Sequence, residues 1–148
     1  GSLVALSGWL WLAACSQNKE NSTEPTFVDP TFTSIFTNIL SVQCLECHNP
    51  DNSSGLSLNF STKATAYSTW KNGTVSSTRA GGDCNTLPLL VASQPAQSFA
   101  VGILVAEYND QDIPGTMCRP YDTHLAYIRS SQQAGAIKQW VLNGAAND

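Results

Sequence analysis

The chain has 148 residues, enough for one domain, with 42 % hydrophobic and only 12 % charged residues. The charged share is about half of what globular domains usually carry. With a net charge of -4 and no basic run, the sequence argues against nucleic acid as a partner.

The first fifteen residues stand apart. "SLVALSGWLWLAAC" is apolar from Leu3 to Ala14, broken only by Ser and Gly. It is shorter than the roughly 20 residues of a membrane-spanning helix and has the length of a signal-peptide core. Residues 1–15 are therefore expected to be an export signal. Its end, "LAAC", resembles the lipobox of bacterial lipoproteins. That resemblance implies cleavage before Cys15 and a lipid on its sulfur. No Asp follows Cys15, so the resemblance places the protein at the outer membrane, facing the periplasm or the cell surface. Multiple acyl chains hold a protein firmly at a bilayer, where a single chain does not.

Residues 16–30, "SQNKENSTEPTFVDP", are polar, hold two prolines and show no period. They read as a flexible tether, with the folded domain over residues 31–148. In "PTFTSIFTNILSVQC", Phe32, Ile35, Phe36, Ile39 and Leu40 recur at the spacing of an amphipathic helix. Asp29 followed by Pro30 is a start signal for it. A short helix is expected at about 61–71, capped by Ser61, and another at about 95–107. The last helix lies in "SSQQAGAIKQWVLNGA". Ser130 or Ser131 can cap it, Ala134, Ile137, Trp140 and Val141 face inward, and Gly144 ends it. The stretches between read as long loops, and no alternating strand pattern occurs. The expected class is mainly α.

The first helix runs straight into "CLECH", Cys44 to His48. In an exported chain this spacing is the attachment pattern of a c-type haem. Two thiols three residues apart on a helical segment match the two vinyl groups and form thioethers. The adjacent histidine then becomes the proximal iron ligand. Two other readings of the motif compete. Structural zinc needs four ligands, and beyond the motif only Cys84, Cys118 and His124 stand singly. A redox dithiol belongs in a βαβ setting, which a helical chain does not offer. One covalent haem c, held by Cys44, Cys47 and His48, is the expectation. With Cys15 assigned to lipid and Cys44 and Cys47 to haem, Cys84 and Cys118 remain. Exported proteins rarely leave thiols free, so these two are expected to pair.

The helix entering "CLECH", the loop "GLSLNF" and the ending "AIKQWVLNGAAND" together resemble class I-like c-type cytochromes. More narrowly, they are similar to single-haem domains of lipoproteins from myxobacteria, leptospires and planctomycetes. The resemblance covers residues 32–148. It implies a small cytochrome c-like helical domain wrapped around one haem. It also implies a distal methionine in the loop before the last helix, commonly followed by Pro. The single methionine, Met117, lies in "GTMCRP", where Cys118 and Arg119 intervene before Pro120. It also stands further from Trp140 than the family usually shows, whereas His124 is nearer the usual spacing. Met117 is the first choice for the sixth ligand, His124 the alternative, and an open or water-bound iron the third reading.

Phe32, Phe36, Leu40, Leu56, Leu58, Leu87, Leu89, Trp140 and Val141 are pocket candidates, each equally readable as ordinary core. Arg79, Arg119 and Arg129 could pair a propionate or remain surface charges. The function expected from these pieces is one-electron transfer between other redox proteins by a lipid-anchored cytochrome, not an enzyme. The alternatives are a haem enzyme or a gas or peroxide sensor with an open sixth site, and an accessory haem subunit of a larger redox complex.

Overall fold

Thr31 starts the first helix. Its backbone is extended, and its hydroxyl accepts the Ser34 N–H at 3.2 Å. In the computed structural model, which describes residues 27–51, 58–75, 84–121 and 123–148, helix α1 spans Phe32–Ile35. The start expected at Asp29–Pro30 thus falls two residues later, where the Thr31 hydroxyl supplies the cap, while the Asp29 N–H donates to the Ser34 hydroxyl at 3.0 Å. Val28, placed in the tether by the sequence, is buried, so the packed chain begins before Pro30. The leader, Cys15, most of the tether, Leu56 and Arg79 lie outside the described residues.

From Phe36 to Cys44 the same helix continues in π form, a geometry that is rare and usually limited to a single turn. Polar side chains take its carbonyls. Asn38 Nδ2 donates to Ser34 O, Ser41 Oγ to Thr37 O and Gln43 Nε2 to Asn38 O. Such bonds compete with the regular ladder. The apolar stripe holds, with Phe32, Ile35, Ile39 and Leu40 buried and Phe36 packed partly exposed against them.

Helix α2, Lys63–Asn72, is capped by Thr62 rather than Ser61, in a reciprocal box with Thr65. It buries Ala66 and Trp70. After it, residues 73–75 lie antiparallel to residues 86–89 through a single bridge, Thr74 with Pro88. No strand forms among the described residues. The helix expected at 95–107 is broken. A 3-10 turn, Pro95–Gln97, is separated from α3, Phe99–Leu104, by Ser98 in an extended conformation. Buried Ser98 accepts the Val91 N–H at 2.8 Å and donates to the Gln94 carbonyl at 3.0 Å, which fixes the break.

A second 3-10 turn, Thr123–Tyr127, precedes α4, Ser131–Leu142. Ser130 caps α4 by accepting the Gln133 N–H, and Ala136, Ile137, Trp140 and Val141 are buried. Ala134, expected inward, is only partly buried. Gly144 takes φ +99° past the end of α4, as a C-terminal glycine should. The tail then folds back, and Asp148 accepts the Phe32 N–H at 2.6 Å, placing a carboxylate at the start of α1.

The core lies where α1 meets α2 and α4. Phe32 packs on Tyr67 and Trp140 at centroid distances of 5.1 and 5.3 Å, and Trp140 stacks on Trp70 at 5.5 Å. A disulfide joins Cys84 and Cys118, both fully buried, 34 residues apart. That pairing is the one expected from the sequence.

Gly102 of α3 lets Pro120 approach closely. A Cβ there would meet Pro120 Cγ at 2.7 Å and Cβ at 2.8 Å. Gly102→Ala is expected to cost about 1–3 kcal/mol by overpacking, read as a lowered midpoint in urea. An unchanged midpoint would show that Pro120 yields freely.

Candidate haem-attachment site

The backbone of "CLECH" forms one helical turn. The Cys47 and His48 N–H groups both donate to the Cys44 carbonyl, at 3.2 and 2.9 Å, and Leu45 is right-handed helical. Asn49 closes the turn, its Nδ2 donating to the carbonyls of Leu45 and Glu46 at 3.0 and 2.8 Å. The sequence reading missed Asn49. An Asn at the end of a helical segment is the available signal, since its amide can satisfy carbonyls that lose their helical partners. One turn therefore carries Cys44, Cys47 and His48, the three residues read from the motif.

His48 is held by Phe60 through both backbone and ring. Its carbonyl accepts the Phe60 N–H at 2.8 Å, and its ring packs on the buried Phe60 ring at 5.2 Å. Phe60 backs onto Trp70, whose ring stacks on Trp140. The motif is thereby joined to the main core by a row of aromatic rings.

Cys44 and Cys47 are both free thiols, Cys44 half-buried and Cys47 exposed. Burial, with Cys47 adding to it, pushes the Cys44 thiol up to about 11. It therefore stays protonated at neutral pH. A nucleophilic dithiol needs the opposite shift.

The 3-10 turn Thr123–Tyr127 packs against α3 and brings His124 to the same place. The His124 ring lies 6.3 Å from the His48 ring, centroid to centroid, with planes inclined by 32°. Tyr127 flanks it at 5.9 Å. Met117 is placed differently. It sits at the tip of a tight turn, where Ile113 N–H donates to Cys118 O and Gly115 takes φ +80°. The disulfide turns Cys118 inward, while Met117 projects into solvent, 78 % exposed. Among the described residues no three His, Cys, Asp or Glu side chains converge as a metal site.

Of the pocket candidates, Phe32, Leu40, Leu89, Trp140 and Val141 are buried, and Phe36, Leu58 and Leu87 are partly so. Arg119 is engaged at the surface, its Nε donating to Asp112 at 2.8 Å, and it holds the Asp112 carboxyl below the usual range. Arg129 is exposed, and its backbone N–H donates to Gln133 Oε1. No described helix is long and apolar enough to cross a membrane. The chain matches no known family model, no curated protein and no solved structure.

Proposed function

We propose that the protein is a c-type cytochrome that passes single electrons between other redox proteins through one covalent haem. The observation that carries this reading is the single helical turn with two free thiols and a histidine, closed by Asn49 and packed on Phe60. The donor chemistry fits the group: two thiols for thioethers and one imidazole for iron. The raised Cys44 thiol disfavours a reactive dithiol, and a structural zinc needs four converging protein ligands where no group of even three is set to hold a metal among the described residues.

Bound at this turn, haem supplies a one-electron iron couple. The chain's own contribution is positional. Cys44 and Cys47 would hold the macrocycle, and His48 would offer its imidazole to the metal. Phe60 fixes the ring of that histidine, and the buried aromatic row behind it keeps water from that side. A lipid on Cys15, at the outer membrane, would keep the domain near membrane-bound partners while residues 16–30 let it search for them. The domain at residues 31–148 would then be the cytochrome c-like head.

A reductive titration of the full chain, expressed with haem-attachment machinery, tests the function. One reversible one-electron wave per chain is expected, and Cys44→Ala with Cys47→Ala should abolish it. A chain that purifies with haem but turns over peroxide at a useful rate would favour the enzyme reading instead.

A further inference from the structure

We infer that His124, not Met117, supplies the second axial ligand, so that both faces of the iron are closed by imidazole. This rests on the haem reading above. Its basis is geometric. Two imidazoles that bind one ion from opposite sides through metal–nitrogen bonds of about 2 Å have ring centroids roughly 6 Å apart. The His48 and His124 rings stand 6.3 Å apart. Phe60 and Tyr127 brace the pair at 5.2 and 5.9 Å from the respective rings.

The way His124 is carried supports a fixed ligand. It lies on a hydrogen-bonded turn packed on α3, and the chain entering that turn is seated by the close approach of Pro120 to Gly102. Met117, although it adjoins Cys118, stands at an exposed turn tip with its side chain in solvent.

The incompleteness of the pair also points to a planar cofactor. Two imidazoles fall short of the four ligands of a structural zinc, and no group of three or more His, Cys, Asp or Glu side chains is set to hold a metal among the described residues. A macrocycle that brings four nitrogens of its own completes an octahedral set. Two histidines also give a lower reduction potential than His with Met, and they leave no position for an exogenous ligand.

Absorption spectra of the haem-loaded full chain, wild type, Met117→Ala and His124→Ala, test this. The wild type is expected to be low-spin without the weak long-wavelength band of an iron–thioether bond. Met117→Ala should be indistinguishable from it. His124→Ala should lose the low-spin ferric spectrum and bind cyanide at least tenfold more tightly, and added imidazole should restore the low-spin form. Restoration by imidazole separates a lost ligand from a lost fold. A thioether band that disappears in Met117→Ala, or a low-spin His124→Ala, overturns the inference and leaves the haem reading standing. A chain that carries no haem overturns both.

Discussion

Replacing Trp140 with alanine should lower the unfolding free energy by about 3–5 kcal/mol, the range for removing a large aromatic from a packed core. Trp140 is 2 % exposed and lies between Phe32 of α1 and Trp70 of α2. It therefore joins three helices, and its removal leaves a cavity that neither neighbour can fill alone. Its indole Nε1 also donates to the Ala146 carbonyl at 2.9 Å, which ties down the tail that reaches α1. Trp140→Phe keeps most of the buried area and loses this bond, so it should cost only about 1 kcal/mol. Urea unfolding of the two variants and wild type in the same cofactor state checks both values, with the midpoint moving and the slope constant. Equal losses for Phe and Ala would mean that the hydrogen bond, not the packing, dominates.

The second large effect belongs to the disulfide. Its removal in a Cys84→Ala, Cys118→Ala variant should cost roughly 3–4 kcal/mol in the chain-entropy model for a loop of 34 residues. The link ties the stretch between the partners of the Thr74–Pro88 bridge, where Cys84 stands, to the turn that precedes His124. Thermal unfolding of the variant should show a lowered midpoint. The two buried sulfurs are lost as well, so the measured cost should not fall below the entropic figure. A variant as stable as wild type would show that the surrounding turns are held by packing alone.

Much of the helical framework was legible in the sequence because it rests on periodicity. The stripes at Phe32–Leu40 and Ile137–Val141 each bury one face, and the Gly144 stop shows its positive φ. What escaped was local hydrogen bonding. Ser98 reads as an ordinary helix residue until its hydroxyl is seen bound to Val91 and Gln94. Thr62 displaces Ser61 because Thr65 can reciprocate, although neither Glu nor Gln stands there. The π form of Phe36–Cys44 leaves no mark in composition, and a five-residue turn such as Thr123–Tyr127 is too short to show a period.

At the site, the motif residues were readable directly, because Cys44, Cys47 and His48 are local in sequence and share one turn. The side chain that comes up to His48 was not, because it depends on how a distant loop folds. Met117 was favoured for its chemistry and its Gly/Pro surroundings. The same surroundings build an exposed tight turn, which leaves Met117 in solvent. The spacing of His124 before Trp140 was the one sequence signal that agreed with the observed approach of His124 to His48.

The most direct test of the central claim is the intact mass of the denatured chain after expression with haem-attachment machinery. The account predicts a mass increased by one haem, with the modification on the peptide holding Cys44 and Cys47, and its loss when both are alanine. An unmodified mass, with both thiols still open to alkylation, would contradict it.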